Sequence, residues 1–275
     1  MSKLSTKMVI TDLDGTLLNS EGCVSEKDFN TLVELGNKGV IRVVATGRSP
    51  YSFSKVIPRN FPIDYLVFSS GAGAIEWDSG EMLFTTEIPA AEVQEIVQEL
   101  LLHNVDFMVH EPIPSNHRFL YHQSNSRGNT DFSRRVQIYS SYCQPYMPGI
   151  VYESNASQLV VILPNDIEWF DELKKRFPDL KVIRATSPID GYSIWMEIFR
   201  KDVSKANGAK FIYDKLNIKE QEIIAVGNDF NDLDMLTHFA RSFVVANAPA
   251  ELKKQFRVVK SNDESGFSDA VEKAF

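Results

Sequence analysis

The chain has 275 residues, of which 43% are hydrophobic and 24% are charged, and its formal net charge is -8. This length allows one large domain or two modest ones, and the composition is that of a globular protein rather than a disordered one. The negative charge disfavours binding to nucleic acid or to an anionic membrane surface. It still permits a small anion in a cleft where a metal ion or a few local cations reverse the field.

The N-terminal residues, MSKLSTKMVI, lack the apolar stretch of a signal peptide, and no later run is long enough to span a membrane. The two cysteines, Cys23 and Cys143, lie far apart and form no CxxC pattern. We therefore expect a cytoplasmic protein with reduced cysteines. We also expect it to be either a monomer or a homodimer.

The first 75 residues alternate between strand-like and helix-like segments. Strands are predicted at 7–11, 40–45 and 65–68, with helices at 25–38 and from Pro50 onward. Ser25 and Ser49 are suitable N-caps, and Gly39 ends the first helix. This order predicts an α/β fold with a doubly wound, mainly parallel, Rossmann-like sheet.

The pattern changes near residue 82. Strands at 82–86, 107–110, 158–163 and 181–185 and helices at 89–103 and 167–177 form an α+β pattern, with a polar, irregular stretch at 111–135. After a strand at 192–198 the alternation resumes, with helices from Ser204, Asn231 and Pro249 and strands at 222–226 and 243–246. We predict a split core, residues 1–81 and 190–275, interrupted by an inserted α+β domain at 82–189.

Four predicted strands of the core end in polar clusters. These are Asp12-Leu13-Asp14-Gly15-Thr16, Thr46-Gly47-Arg48, Ser69-Ser70-Gly71 and Gly227-Asn228-Asp229. Such residues often form simple turns, but ligands of open parallel sheets bind beyond the carboxyl ends of the strands. Four clusters in equivalent positions therefore predict one binding site at that edge of the sheet.

The residue types at these strand ends suit phosphoryl transfer, which needs positioning, a metal ion and donors around the phosphoryl oxygens. Asp12 could be a nucleophile and a ligand of Mg²⁺, and Asp14 a general acid and base. Thr46 offers a hydroxyl and a backbone N–H, and Lys205 offers a cation at the start of a helix. Composition alone does not separate this lysine from Lys201 or Lys210.

The motifs DLDGTLL, ATGR, DVSKANGA and GNDFNDLDM occur in the order and approximate spacing of the haloacid dehalogenase superfamily. The chain resembles the Cof-type, sugar-phosphatase-like branch of that family over nearly its full length. In this branch a large α/β cap that governs substrate specificity lies between the second and third motifs, which is where the insert occurs. The resemblance implies a Mg²⁺-dependent phosphomonoester hydrolase that acts on a small phosphorylated metabolite.

The resemblance also implies a role for each matching residue. Asp12 would attack phosphorus to form an aspartyl-phosphate, and Asp14 would protonate the leaving oxygen and then activate water. The main-chain carbonyl of Asp14 would bind Mg²⁺, while Thr46 and Lys205 would hold the phosphoryl oxygens. The positions that match substrate-binding residues are Gly47, Arg48 and Asn231.

The fourth motif departs from the usual GDxxND of the family, because Asn228 stands where the metal-binding aspartate is expected. Three alternatives are open: Asn228 binds the metal through Oδ1, Asp229 takes its place, or the metal site is degraded. An amide oxygen carries no charge, so we expect weaker metal binding than with aspartate. Asp232 is expected to order the loop or to hydrogen-bond Lys205 rather than to contact the ion.

Two other functions remain open at this point. A phosphomutase would use the same aspartyl-phosphate and return the phosphoryl group to another oxygen. A noncatalytic protein that binds a phosphorylated metabolite is suggested by Asn228 and by Ser70, where Cof-type proteins commonly have asparagine.

Overall fold

The computed structural model of the chain describes residues 6–124, 128–147, 149 and 152–275. These residues form two compact units. The first, which we call the core unit, comprises the described residues up to Thr85 together with Ser204–Phe275, and the second, the insert unit, comprises Thr86–Val203. No helix in the described ranges is both long enough and apolar enough to cross a membrane.

Strands and helices alternate along most of the chain. In the described residues the strands are β1 (Met8–Thr11), β2 (Ile41–Ala45), β3 (Tyr65–Phe68), β4 (Gly73–Glu76), β5 (Met82–Thr85), β6 (Phe107–His110), β7 (Phe119–His122), β8 (Cys143–Pro145), β9 (Gln158–Leu163), β10 (Leu180–Thr186), β11 (Ile194–Arg200), β12 (Ile223–Gly227), β13 (Ser242–Val245) and β14 (Arg257–Val259). The α-helices are α1 (Glu26–Asn37), α2 (Pro50–Phe53), α3 (Ala90–Leu102), α4 (Thr130–Ile138), α5 (Ile167–Lys174), α6 (Lys205–Lys215), α7 (Leu233–His238), α8 (Ala250–Lys253) and α9 (Gly266–Ala274).

The sheet of the core unit has the strand order β14-β13-β12-β1-β2-β3-β4-β5. The six strands from β14 to β3 are parallel, and β4 and β5 are antiparallel additions at one edge. The chain leaves β1 for β2 on one side and returns later as β12 on the other, so the order of the strands reverses at β1. The predicted doubly wound, mainly parallel α/β fold is confirmed, and its ligand-binding edge is expected where β1, β2 and β12 end.

The insert unit contains a second sheet, with the order β10-β11-β9-β6-β7-β8. Its pairs are antiparallel except for β7 with β8. Alternate side chains of β6, β9 and β11 face α3 and α5 and form with them a continuous buried apolar cluster. The unit thus has a hydrophobic core of its own.

Two strands lie in the opposite unit from the one that the sequence pattern predicted. β11 falls in the range 190–275, predicted as core, but it pairs with β10 from Leu180↔Arg200 to Thr186↔Ile194 and with β9 on its other side. β5 falls in the range 82–189, predicted as insert, but it pairs with β4 in the core sheet. The reason is that an apolar strand shows which of its faces is buried but not which sheet it joins.

Candidate active site

Lys205 lies at the centre of a buried ion-pair network in the core unit. It is the first residue of α6, directly after the N-cap Ser204, and only 1% of it is exposed. Its Nζ donates to Asp12 Oδ1 and to Asp232 Oδ1, each at 2.6 Å. The other two candidates from the sequence are surface residues: the side chain of Lys201 is 70% exposed and pairs with Asp179, and that of Lys210 is 48% exposed and pairs with Asp214. The fold therefore singles out Lys205.

Two glycines allow α6 to approach the sheet closely enough for this contact. Gly71 has φ +103°, and a Cβ at this position would collide with the backbone of Ser204. A Cβ on Gly208, one turn into α6, would lie 2.5 Å from Val67 Cγ1 of β3. Because neither position carries a side chain, the start of α6 lies directly against the end of β3, and Lys205 reaches Asp12.

Asp232 organises the loop that follows β12. Its side chain is fully buried, and its Oδ2 accepts from the backbone N–H of Asn228 at 2.8 Å and of Asp229 at 3.1 Å. A Cβ on Gly227 would lie 2.6 Å from the same oxygen, so the loop requires glycine there. Asp232 thus fixes the loop through Oδ2 and holds Lys205 through Oδ1.

Asp14 is paired with Arg48, a contact that the sequence did not predict. Arg48 Nη2 donates to Asp14 Oδ1 at 2.7 Å and Nε to Oδ2 at 2.8 Å, a bidentate arrangement. The Arg48 backbone N–H also donates to Thr46 Oγ1 at 3.1 Å. The guanidinium therefore links the turn after β1 to the turn after β2.

Asp12 follows the last residue of β1, and Thr46 follows the last residue of β2. These strand ends lie side by side in the sheet, since Thr11 pairs with Val44. Thr46 is buried, and its backbone N–H donates to Val67 O at 2.9 Å. The expectation that Thr46 offers both a hydroxyl and an N–H to a ligand is thus wrong for the N–H, which is used within the sheet. The hydroxyl accepts from Arg48 and keeps its hydrogen for another acceptor.

Asn228 faces the turn that carries Asp14. Its Oδ1 accepts from Thr16 Oγ1 at 3.1 Å, and a Cβ on Gly15, which has φ +72°, would lie 2.5 Å from its Nδ2. On the other side of this turn, Asn247 Nδ2 donates to Gly15 O at 2.8 Å. The sequence reading missed Asn247, although it lies just after β13 and so obeys the same rule of strand ends.

The remaining predicted residues line the same loops. Gly47 is half-buried between Thr46 and Arg48, and Asp229 and Asn231 are half-buried in the loop after β12. No hydrogen bond in the described parts of the chain joins Asn231 to Asp12 or Asp14. Their predicted roles in substrate or metal binding stay predictions.

The site carries more negative than positive charge. Three carboxylates, those of Asp12, Asp14 and Asp232, face two cations, Lys205 and Arg48. Burial, with the carboxylates of Asp232 and Asp14, raises the pKa of Asp12 to about 7, although the ammonium of Lys205 opposes this shift. Burial lowers the pKa of Lys205, but Asp12 and Asp232 outweigh it and leave that pKa raised. Lys205 therefore stays charged, and one negative charge is left uncompensated when Asp12 is ionised.

These residues fit a hard divalent cation such as Mg²⁺. Asp12 Oδ2 accepts no hydrogen bond from any described residue, while Asp12 Oδ1 is taken by Lys205. The turns after β1 and β12 also carry neutral hard oxygens, the main-chain carbonyl of Asp14 and the amide Oδ1 of Asn228. Within the described ranges no three His, Cys, Asp or Glu side chains form a metal-binding group. A metal here would therefore depend on these neutral oxygens as well as on Asp12.

A family profile described as haloacid dehalogenase-like hydrolase matches residues 9–271. The chain therefore belongs to this family, and the predicted family is confirmed. A Haemophilus influenzae protein that is provisionally named a phosphatase is 26% identical to this chain over 98% of both chains. The Bacillus subtilis 5-amino-6-(5-phospho-D-ribitylamino)uracil phosphatase YwtE is 24% identical, over 94% of this chain and 95% of that one.

Solved structures agree on the fold. A phosphatase of the haloalkanoate enzyme superfamily from Bacteroides thetaiotaomicron superposes with a TM-score of 0.81 at 21% identity, covering 99% of this chain and 96% of that one. A sugar phosphatase of subclass IIB superposes with a TM-score of 0.78 at 22% identity, covering 98% of each chain. The names of the relatives and the family together support the predicted class of enzyme, a phosphatase.

Proposed function

We propose that this chain is a Mg²⁺-dependent phosphomonoesterase that hydrolyses a small phosphorylated metabolite, with sugar phosphates as the first candidates. The observation that carries the proposal is the buried ion pair at the end of β1, where Lys205 Nζ lies 2.6 Å from Asp12 Oδ1. A fixed cation thereby orients a carboxylate at the edge of the sheet where open α/β folds bind ligands. Such a pair is suited to stabilising charge on a phosphoryl group.

In the first step, Asp12 would act as the nucleophile. Its Oδ2 would attack phosphorus while the bond from phosphorus to the leaving oxygen breaks, which gives an aspartyl-phosphate. Lys205 and the Thr46 hydroxyl would donate to the phosphoryl oxygens. Asp14, having taken up a proton from solvent, would give that proton to the leaving oxygen, so that the product departs as a neutral alcohol.

In the second step, the same groups would release phosphate. Asp14, now ionised, would take a proton from water as the water oxygen attacks phosphorus, and the bond between phosphorus and Asp12 Oδ2 would break. Asp12, the Asp14 carbonyl and Asn228 would hold Mg²⁺, which would supply positive charge to the phosphoryl oxygens and favour the ionised form of Asp12.

The remaining residues have supporting roles in this proposal. Asp232 holds Lys205 and the loop that presents Asn228, and Asp229 is the alternative metal ligand. Gly47 and Asn231 would contact the substrate. The insert unit would select the substrate, and the enzyme would act in the cytoplasm as a monomer or homodimer without nucleic-acid or membrane partners. The sugar phosphatase among the structural relatives is the reason for placing sugar phosphates first.

The test is phosphate release from an aryl phosphate, followed by a panel of phosphorylated metabolites, in the presence of Mg²⁺ and of a chelator. We expect wild-type activity only with Mg²⁺, and loss of at least about 1,000-fold in Asp12→Asn, since the nucleophile is absent. Equal activity of the two proteins, each shown to be folded by its thermal transition, would overturn the mechanism.

The same panel separates the alternatives. A phosphomutase would convert a hexose phosphate to its isomer without releasing phosphate. A noncatalytic binding protein would bind a metabolite in calorimetry without turnover.

A further inference from the structure

The two aspartates of the Asp12-Leu13-Asp14 motif are paired with different cations. Asp12 is paired with Lys205, and Asp14 with Arg48. Arg48 spans both oxygens of Asp14, with Nη2 donating to Oδ1 at 2.7 Å and Nε to Oδ2 at 2.8 Å and to Oδ1 at 3.1 Å. A planar fork of this kind fixes the orientation of a carboxylate.

Arg48 is itself held by the elements that follow β2. Its backbone N–H donates to Thr46 Oγ1 at 3.1 Å, and its Nη1 donates to Ser52 O at 3.2 Å in α2. Ser49 caps this helix by accepting from the Ser52 N–H. The guanidinium therefore has anchors besides the carboxylate that it holds.

Asp14, in contrast, has little else to fix its side chain. The side chain is 42% exposed, and its carboxylate accepts hydrogen bonds from no described residue other than Arg48. An exposed side chain without such a partner samples several rotamers. The position of the Asp14 carboxylate thus depends on Arg48.

We propose that Arg48 is a positioning residue for Asp14, which aims this carboxyl group at the reacting oxygens. The inference rests on the proposed function, in which Asp14 is the general acid and base, and it gives Arg48 a task other than contact with the substrate. In the first step the Asp14 proton moves to the leaving oxygen as the bond from phosphorus to that oxygen breaks. In the second step a proton of the attacking water moves to Asp14 as the bond from phosphorus to Asp12 breaks.

This assignment makes the effect of Arg48 depend on the leaving group. An alkyl leaving group, as in glucose 6-phosphate, needs a proton to depart, whereas 2,4-dinitrophenolate is stable as an anion and needs none. An arginine that only anchors the phosphoryl group would affect both esters equally, because the group that it binds is the same in both.

The experiment compares the first turnover of these two esters in wild type, Arg48→Ala, Arg48→Lys, Asp14→Asn and the Arg48→Ala/Asp14→Asn double variant. Rapid quenching gives the rate at which Asp12 is phosphorylated and the amount of phosphoenzyme. For Arg48→Ala we expect phosphorylation by glucose 6-phosphate to fall about 100-fold and that by 2,4-dinitrophenyl phosphate by at most about threefold. The aryl ester should leave accumulated phosphoenzyme, because the second step also needs Asp14.

The other variants act as matched controls. Arg48→Lys keeps the charge but cannot bridge both oxygens, so it should behave like Arg48→Ala. In the Asp14→Asn background, Arg48→Ala should cause almost no further loss, since the group that it positions is already inactive. Thermal transitions confirm that each variant is folded.

Equal losses for both esters without accumulated phosphoenzyme, or additive losses in the double variant, would overturn the positioning role while leaving the phosphatase proposal intact. If the metabolite panel shows the wild-type protein to be inactive on glucose 6-phosphate, the alkyl ester that it hydrolyses best replaces it. Absence of phosphoenzyme and of released leaving group from both esters in the wild-type protein would overturn both proposals.

Discussion

Asn228 is the side chain at which this protein departs most clearly from the GDxxND pattern of its family. Its Oδ1 accepts from Thr16, and its backbone N–H donates to Asp232, so both parts of the residue are fixed. The amide therefore faces the turn that carries Asp14 and is held there. Which of the three alternatives open from the sequence holds stays a prediction, and Asn228 itself as the metal ligand is the alternative tested first.

The substitution Asn228→Asp tests that geometry. A carboxylate of almost the same shape would add a negative charge at the metal, so we expect Mg²⁺ binding to tighten about tenfold, which is about 1.4 kcal/mol. Isothermal titration calorimetry measures the affinity. Asn30→Asp on the exposed face of α1 adds the same charge outside the loop and should leave the affinity unchanged. An unaltered affinity in Asn228→Asp would show that another residue binds the ion.

The raised pKa of Asp12 predicts a pH-dependent stability in the metal-free protein. Its folded-state pKa is about 7, above the ordinary value of 3.8, so the folded state holds a proton that the unfolded state releases. The stability that Asp12 contributes is therefore greatest below pH 4 and is lost as the pH rises toward 7, by at most about 1.4 kcal/mol per pH unit. Urea unfolding of wild type and Asp12→Asn from pH 4 to 8 measures the difference. A wild-type stability that rises relative to that of Asp12→Asn as the pH increases would contradict the raised pKa.

Single residues also show what the sequence could and could not reveal. Asp12, Asp14 and Thr46 could be located because the ends of parallel strands meet at one edge of a sheet. The pair of Arg48 and Asp14 could not, because the two residues are 34 positions apart and their contact depends on side-chain directions. Likewise, composition did not separate Lys205 from two other lysines, whereas close packing of α6 on β3 does.

The packing of α6 on β3 determines the position of Lys205. Gly208 faces Val67 with no room for a side chain, and Gly71 meets the backbone at the start of the helix. A small shift of α6 would separate Lys205 Nζ from Asp12 Oδ1. The ion pair is therefore sensitive to a contact made one turn further along α6.

Gly208→Ala tests this dependence. The new methyl would lie 2.5 Å from Val67 Cγ1, so we expect a loss of about 1–3 kcal/mol in the free energy of unfolding and lower phosphatase activity. Val67→Ala removes the colliding atom, so the double variant should be more stable than the sum of the two single changes predicts. Urea unfolding and activity assays measure both effects. Strict additivity would mean that the helix tolerates the methyl group by another route.

Some elements could not be recognised from the sequence. Residues 111–135 looked polar and irregular, yet they include β7 and the start of α4, whose Phe119 and Phe132 are buried. Their apolar residues are too widely spaced to produce a clear period. Strongly periodic segments such as α3 and α5 were predicted, since each buries a continuous apolar stripe against the sheet.

The division of the chain into two units has a consequence for how it folds. The insert unit has its own apolar core, and β11 lies inside its sheet, between β10 and β9. β11 also supplies Met196 and Ile198, both fully buried in that core. Residues 86–203 thus contain every strand of this sheet, whereas the range 82–189 predicted from the sequence ends before β11.

We therefore expect residues 86–203, expressed alone, to fold and to show a cooperative thermal transition with near-ultraviolet circular dichroism. Residues 82–189 are the matched control and should not fold, because without β11 the sheet loses an interior strand and leaves β9 and β10 unpaired at that position. Neither segment contains Asp12 or Lys205, so neither should release phosphate from an ester. A cooperative transition in both segments would mean that β11 is dispensable to this unit. Absence of a cooperative transition from residues 86–203 would instead mean that the insert unit needs the core unit in order to fold.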